Sequence, residues 1–580
     1  MPCLWGLCFV GERSMAGVFT HFQTLDAISQ ALPPQQRSLI EMHPEFASFG
    51  SIGPDYLYFY KNDWGPLGAA GGVFFSLLDD MREILDVYNS TVSAQENIND
   101  WLSGGASGDL QRSVDLIKAA VLSRVADLVT KNVDFFEEFR PPISDNPDKG
   151  EIRNWWWADI AHQHRAMDFT RQLWSTSASD PRLRAYSLGF ISHIATDVVS
   201  HPYINLISGG PYRNHWRRHN LIERVYDTHF WALRMSGQEV TDSKCHRRIH
   251  FPSAAPSRPD IPSELCQYLA NAYANVYGSL NIASGIPNAQ DIRQMYIVYY
   301  KYIQGATDLS SLNQPKPPAD FDWFDLDDWI QQKFNDVMAR QPNFGRLPAI
   351  NILDPRSWKA FLAALINYIV WLAELAVMIA TLIPAAIARV SSVAVRYLLW
   401  QLSRVLYQLY DSARVALVIS GYSHPTTQHV NMYFNSLVKP NLNFFLEKNF
   451  PHLHVTNAEQ TYHLVHPIQV QPAHDIRETP SVPLMQGDRA VLSDIEAVFF
   501  GSSGATLPSQ LFTVCGGSTL PYISVTDLGV ALIGKFFLDG GANLPNMNLD
   551  GDRGYGWPTW SASSNRPWSS LSDFDLCPAL

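Results

Sequence analysis

The stretch Leu188–Glu223, LGFISHIATDVVSHPYINLISGGPYRNHWRRHNLIE, contains the strongest pattern in the chain. On an α-helix, side chains four residues apart lie on one face, about one turn from each other. Imidazole and carboxylate groups that share a face are ligands for Zn²⁺. Several such ligands in one short stretch predict more than one metal ion. Two sets have this spacing: His193, Asp197 and His201, and then His219 and Glu223.

The helix that contains the first set is predicted to be buried, because apolar residues surround the polar ones. Buried imidazole and carboxylate groups are costly unless they are paired or coordinate a metal. A solvated polar face with chance histidines would have other charges around it, and this stretch has few. Metal binding is therefore the favoured interpretation. The surrounding apolar residues are Leu188, Phe190, Ile191, Ile194, Val198 and Val199.

Further candidate ligands lie upstream. His21 follows Thr20 at the start of an apolar-periodic segment, and Asp55 follows a Gly-Pro turn in the sequence GSIGPDY. The sequence WADIAHQH then contains His162 and His164. Each motif alone is also typical of an ordinary helix start or turn. Their order along the chain makes the combination specific.

In this order, the motifs T-H, G-x-I-x-P-D, an isolated His, L-G-x-x-S-H-x-x-x-D-x-x-x-H and H-x-x-x-E resemble the zinc-dependent phospholipase C superfamily. A His four residues after the Asp is most similar to two groups of its members. These are the larger bacterial zinc metallophospholipases C and the amino-terminal domain of glycosylphosphatidylinositol-specific phospholipase D. The resemblance covers residues 15–310 and implies a mainly α-helical domain that holds three zinc ions close together.

Carried over by motif position, the resemblance implies eight metal ligands and two or three Zn²⁺ per chain. Asp55 is also the implied catalytic residue, as a general base or as a group that orients water. His164 is the alternative to His162 as a metal ligand. His215 is better explained as a histidine that lies beside the ligands or on the surface. The implied ligand sets are Asp55, His162, His193 and Asp197 for one zinc, His21 with Asp197 bridging for the second, and His201, His219 and Glu223 for the third.

One feature departs from the family pattern. The small secreted members bind a zinc through the amine and carbonyl of an amino-terminal Trp. This chain begins MPCLWGLCFVGERSMAG, with no Trp placed to become such a terminus. We therefore expect the zinc at His21 to have fewer protein ligands and more water, or to be missing. Met15 looks like a natural start, so residues 1–14 are predicted to be an extension.

The implied function is a zinc-dependent phospholipase C that hydrolyses glycerophospholipids to diacylglycerol and a phosphorylated head group through a zinc-activated water. No G-x-S-x-G elbow supports a serine esterase. A net charge of −12 argues against a general nucleic-acid binder. The resemblance implies a phospholipid membrane surface as the partner. Two alternatives stay open: a zinc-dependent single-strand nuclease on the same fold, and a membrane-binding or pore protein with structural zinc.

The chain is predicted to be mainly α. A helical catalytic domain is followed by an apolar helical region and a mixed, loop-rich C-terminal region. The stretch Ala360–Ala388 contains Glu374 as its one charge, so a buried hairpin, a membrane-docking surface and a membrane-spanning helix are all open. The predicted boundaries are an extension over 1–14, the catalytic domain over 15–310, a Pro-rich linker over 311–323, the apolar helical region over 324–423 and the C-terminal domain over 424–580.

Smaller features complete the sequence predictions. Cys245 and Cys266 either pair or stay free thiols. Asn548–Asp552 resembles half of a calcium loop, but Arg553 stands where Gly is needed, so a turn is predicted. The short apolar run near the amino terminus has no preceding basic segment. The protein is expected to be secreted or membrane-associated without a recognisable signal peptide.

Overall fold

The computed structural model shows a mainly α-helical protein, and the part of the chain that it describes contains no strand. This confirms the predicted fold class. The described residues are 17–59, 85–86, 88–93, 157–208, 212–251, 259–282, 285–307, 314–317, 392–419, 423–428, 430, 499–500, 524–542, 544, 546 and 549, with scattered positions between 332 and 383.

The described helices follow one another with short 3₁₀ turns between some of them. The α-helices are α1 (Val18–Ala31), α2 (Pro34–Met42), α3 (Pro44–Ser51), α4 (Trp157–Gln163), α5 (Ala166–Thr176), α6 (Pro181–Ser208), α7 (Tyr212–Arg234), α8 (Ser263–Tyr277), α9 (Ala289–Thr307), α10 (Ser392–Ile419) and α11 (Val525–Asp539). The 3₁₀ helices are Asp55–Phe59, Val240–Asp242, Cys245–Ile249 and Gly278–Leu280.

Helix α6 forms the centre of the first helical unit. The carboxylate of Asp180 accepts a hydrogen bond from the backbone N–H of Arg182 at 2.9 Å, and Pro181 occupies the first helical position. Both are favourable helix-start features. Every residue from 185 to 201 is buried, so the helix is covered on all sides. A helix that is surrounded in this way places its polar residues inside the protein.

Two glycines let α3 and α6 approach backbone to backbone. A Cβ atom on Gly50 would lie 2.2 Å from the carbonyl oxygen of Tyr186, and one on Gly189 would lie 2.0 Å from that of Ala47. No larger residue fits at either position without moving a helix. This close contact brings the turn after α3, which contains Asp55, beside the histidines of α6.

The C-terminal helix α11 packs on α1 and α6. It begins with a cap in which the Ser524 hydroxyl accepts from the backbone N–H of Asp527 at 3.1 Å. It ends at Gly540, whose left-handed φ of 70° is typical of a helix C-terminus. A Cβ atom on Gly529 would lie 2.3 Å from Cδ1 of Ile28, so the glycine allows close packing on α1.

The chain folds into two compact units. The first comprises residues 1–65, 140–307 and 424–580, and the second comprises residues 66–139 and 308–423. The predicted domain boundaries stay predictions. Helix α11, in the region predicted as the C-terminal domain, packs within the first unit.

Within the second unit, α10 is the main described helix. Its Trp400 indole N–H donates to the carbonyl oxygen of Pro315 at 3.3 Å, and its Gln401 amide donates to the Tyr397 hydroxyl at 2.6 Å. Most of the apolar stretch 360–388 lies outside the described residues. Among the residues that are described, no helix has the length and apolarity needed to cross a membrane.

The two cysteines that the sequence left open are free thiols. Cys245 and Cys266 are both buried and unpaired with each other. Burial raises the pKa of each thiol to about 12. Both therefore act as small apolar core groups and take no part in a disulfide.

Candidate metal centre

Among the described residues, three groups of buried ligand atoms lie in the first unit, and within each group the atoms are no more than 4.8 Å from one another. Together the groups contain all eight residues that the sequence singled out as ligands. His193 belongs to two of the groups and joins them. The groups are His21, His193 and Asp197; Asp55, His162 and His193; and His201, His219 and Glu223.

Asp197 lies between the first two groups. Its Oδ1 is 3.3 Å from Nε2 of His21, and its Oδ2 is 2.9 Å from Nε2 of His193 and 4.0 Å from Nε2 of His162. The i, i+4 spacing on α6 produces the contact with His193. One carboxylate oxygen thus faces His21 and the other faces His193 and His162. This is the arrangement expected of a carboxylate that bridges two cations.

Asp55 lies opposite Asp197. Its Oδ1 is 3.1 Å from Nε2 of His162, and its Oδ2 is 3.7 Å from Nε2 of His21. Ligands about 2.0–2.1 Å from a tetrahedral zinc are separated from one another by about 3.3 Å. The distances between ligand atoms around Asp55 are close to this separation.

The third group has the same geometry at the other end of α6. Nε2 of His219 is 2.8 Å from Oε1 of Glu223, again through i, i+4 spacing on α7. Nε2 of His201 lies 3.9 Å from the same oxygen. Helix α6 therefore contributes ligands to all three groups, and α7 completes the third.

Backbone carbonyls determine the tautomers of three of the histidines. Nδ1 of His162 donates to the carbonyl oxygen of Ala158 at 2.7 Å, and Nδ1 of His193 donates to that of Ser51 at 3.3 Å. Nδ1 of His201 donates to the carbonyl oxygen of Leu549 at 2.5 Å. Because a carbonyl can only accept, each Nδ1 carries the proton and each Nε2 is left with its lone pair. This is the usual arrangement behind a metal-binding histidine.

The donor atoms themselves fit a cation. Buried polar atoms normally have hydrogen-bond partners. Here Nε2 of His21 and Oδ2 of Asp55 have none among the described residues. At 3.1 Å, the lone pair of His162 Nε2 also faces a carboxylate oxygen of Asp55, which is repulsive without a proton or a cation between them. The donor set therefore fits a cation such as Zn²⁺, which imidazole and carboxylate bind readily.

Burial shifts the pKa values in the directions that zinc ligation requires of the histidines. Burial lowers the pKa of His193 to about 3, and burial together with the nearby His193 holds the pKa of His21 well below its usual range. Both rings are thus neutral at neutral pH. Burial raises the pKa of Asp55 well above its usual range and that of Glu223 to about 7. A cation would reverse the shifts of these two carboxyl groups.

The Thr-His motif has a structural cause as well. The backbone N–H and the hydroxyl of Thr20 both donate to Oδ1 of Asp227, each at 2.8 Å. A Cβ atom on Gly17 would lie 2.2 Å from the same carboxylate, so the chain enters α1 in close contact with α7. His424 reaches the other oxygen of Asp227 at 3.1 Å. These contacts place His21 at the start of α1.

The structure places His162 and His164 differently, although both are buried. His162 belongs to the group with Asp55 and His193, whereas His164 belongs to none of the three groups. The side chain of His215 lies outside the described residues. Of the histidines in the C-terminal region, the described His424 contacts Asp227 rather than a metal-site group.

A model of the zinc dependent phospholipase C family matches residues 20–277. These residues belong to the zinc-dependent phospholipase C family. Zinc dependence and membership of a hydrolase family follow from this match. No curated protein and no solved structure matches the chain. All eight candidate ligands lie inside the phospholipase C region, and their assignment to particular zinc ions stays a prediction.

Several groups around the candidate metal centre were missed from the sequence. The carbonyl oxygens of Ser51, Ala158 and Leu549 orient ligand histidines. Because every residue has a backbone carbonyl, a sequence pattern cannot show which of them has this function. Asp227 could have been noticed, because it lies on α7 four residues after Glu223 and eight after His219 and so shares their helical face.

Proposed function

We propose that this protein is a zinc-dependent phospholipase C that hydrolyses glycerophospholipids to diacylglycerol and a phosphorylated head group. The observation that supports it most directly is the pair of carboxylates Asp55 and Asp197 between three neutral histidines. This set can hold two cations a short distance apart. A phosphodiester in such a site has both its non-bridging oxygens within reach of positive charge.

The bound ions would lower the pKa of a water toward neutrality and polarise the phosphoryl oxygens. The residues of this chain hold and orient the reacting groups. Asp197 spans the first two groups, and Asp55 is the carboxylate that we assign as general base or water-orienting group. Burial and contact with His162 keep the Asp55 side chain in one position. We propose two or three zinc ions per chain, the third held by His201, His219 and Glu223.

The phospholipid membrane surface is the proposed partner, because the substrate of such an enzyme is part of a lipid interface. We propose that the protein is secreted or membrane-associated. The test of this part is vesicle sedimentation of the full-length protein, with vesicles of phosphatidylcholine alone and of phosphatidylcholine with an anionic lipid. Protein that stays in the supernatant with both vesicles would contradict the proposed surface.

The activity is tested by incubating purified protein with mixed phospholipid vesicles and measuring water-soluble head groups. Phosphorylated head group and diacylglycerol are the expected products. Free head group and phosphatidate would show cleavage on the other side of the phosphate. Hydrolysis of single-stranded DNA without lipid hydrolysis would favour the nuclease. The variant Asp197→Asn should be inactive, and Glu41→Gln, an exposed carboxylate on α2, is the control that should keep full activity.

A further inference from the structure

One buried residue far outside the family match connects two of the ligand groups. The backbone N–H of Leu549 donates to the carbonyl oxygen of His162 at 2.9 Å. Its own carbonyl oxygen accepts from Nδ1 of His201 at 2.5 Å. Leu549 is completely buried. The matched region ends at residue 277, so this contact comes from a part of the chain outside the family match.

The segment that precedes Leu549 is attached to α5 by specific hydrogen bonds. Oδ1 of Asn546 accepts from the backbone N–H groups of Met167 and Asp168, each at 3.0 Å, and its Nδ2 donates to Oδ2 of Asp168 at 3.2 Å. Asn546 thereby caps the first turn of α5 from a distant part of the sequence. Asn546 is only 9% exposed, and its bond from the Met167 N–H is fully buried.

A second attachment lies one turn further along α5. Nη1 of Arg171 donates to the carbonyl oxygens of Gly541 and Leu544, at 3.2 and 3.0 Å. Helix α11 adds apolar packing, with Trp174 against the rings of Phe536 and Phe537 at centroid distances of 5.6 and 5.0 Å. The described residues from Ser524 to Leu549 therefore contact α5 and reach the metal centre.

The geometry points to a positioning function for this segment. We propose that α11 and the described residues after it, up to Leu549, complete the metal centre, with the Leu549 carbonyl holding His201 in the tautomer and orientation that binds metal. The Leu549 N–H ties the same peptide to α4 beside His162. A carbonyl behind a ligand histidine makes the ring a better donor, and losing such a partner lowers metal affinity about 10–100-fold. This inference rests on the proposed zinc ligands but not on the lipid substrate.

Leu549→Pro and Leu549→Ala separate the backbone contact from the side chain. Proline removes the N–H and restricts the backbone, whereas alanine keeps both backbone groups and removes only side-chain packing. In the full-length protein, zinc affinity is measured by competition with a chelator, and zinc content by mass spectrometry. Leu549→Pro should weaken one zinc about 10–100-fold and leave the others unchanged. Leu549→Ala should keep wild-type zinc affinity even if it unfolds at a lower temperature.

A double-mutant cycle with Glu223→Gln identifies which of the bound zinc ions depends on Leu549. If Leu549 acts through His201, Leu549→Pro should add no further zinc loss in the Glu223→Gln background. A purely structural role would weaken zinc binding equally in both backgrounds, and this result would overturn the proposal. Equal zinc affinities for Leu549→Pro and Leu549→Ala would also overturn it.

Asn546→Ala keeps the proposal testable if Leu549→Pro does not fold. It releases the attachment to α5 without touching a ligand, and Leu538→Ala is its control, since Leu538 lies in α11 with 80% of its surface exposed. Weaker binding of one zinc in Asn546→Ala alone is expected. Unchanged affinity in both variants would overturn the inference. Wild-type protein that binds zinc but releases no head group would contradict the proposed function and leave this inference standing.

Discussion

Gly53 packs directly against the imidazole of His193: a Cβ atom on the glycine would lie 2.3 Å from Cδ2 and 2.6 Å from Nε2 of that ring. Gly53 has a left-handed φ of 48° in the turn between α3 and Asp55. The position therefore requires glycine twice, for its backbone conformation and for space. The turn that presents Asp55 also confines the histidine shared by two ligand groups.

Gly53→Ala should therefore damage the metal centre as well as the fold. The left-handed backbone alone costs a non-glycine residue about 1–2 kcal/mol. The added methyl group also pushes His193 out of line with Asp197 and His162. We expect a loss of zinc together with a lower unfolding temperature. Zinc content by mass spectrometry and thermal unfolding by circular dichroism are the measurements.

Gly237→Ala is the matched control for this variant. Gly237 also has a left-handed φ, of 84°, but a Cβ atom there would have no atom within 4 Å. Backbone strain should lower the free energy of unfolding of Gly237→Ala by a similar amount, and this variant should keep its full zinc content. If both variants kept all their zinc and were destabilised equally, the contact between Gly53 and His193 would have no part in metal binding.

The two histidines of the HQH triplet should behave differently. His162→Ala removes a group that faces Asp55 and should lower both zinc content and hydrolysis. His164→Ala should keep the zinc content of the wild type, because His164 belongs to none of the three ligand groups, although the loss of a buried side chain will destabilise the protein. Zinc analysis of the folded variants compares them. The reverse result would make His164 the ligand.

Asp197→Asn should have the largest effect of any single ligand substitution, since Asp197 contacts the ligand atoms of His21, His162 and His193. The amide keeps the shape and removes the bridging charge. We expect hydrolysis to fall by at least about 100-fold, the scale on which a positioned catalytic group acts. Zinc bound by the first two groups should be lost, while zinc at Glu223 is retained. A variant with wild-type head-group release would exclude Asp197 as a bridging ligand.

The local part of the site could be predicted from sequence because helical spacing is a local property. The two residues in each of the pairs His193–Asp197 and His219–Glu223 meet in space because they are four residues apart on one helix. The Gly-Pro turn before Asp55 is likewise encoded within a few residues. The mainly α-helical fold was implied by the family resemblance that these motifs carry.

The long-range part could not be predicted from the same patterns. Leu549 contacts His201 across 348 residues through a backbone carbonyl, and a residue of any type that fits the space could supply that oxygen. Asn546 reaches α5 from a region whose scattered Pro and Gly residues predicted loops of a separate domain. The sequence Asn548–Asp552 resembled half of a calcium loop, whereas the described Leu549 within it bonds to His162 and His201 through its backbone.

Zinc binding at the third group should release a proton in a pH-dependent way. The pKa of Glu223 is raised by burial to about 7, so the metal-free protein holds this proton at lower pH and loses it at higher pH. Zinc must displace the proton, so its affinity at this group should fall as the pH falls below about 7 and change little above that. Titration calorimetry in buffers of different ionisation enthalpy should find close to one more proton released at about pH 6 than at about pH 8.5. Glu223→Gln should lack this difference, and the surface variant Glu41→Gln should retain it. Equal proton release at both pH values in the wild type would show that Glu223 is already ionised before zinc binds.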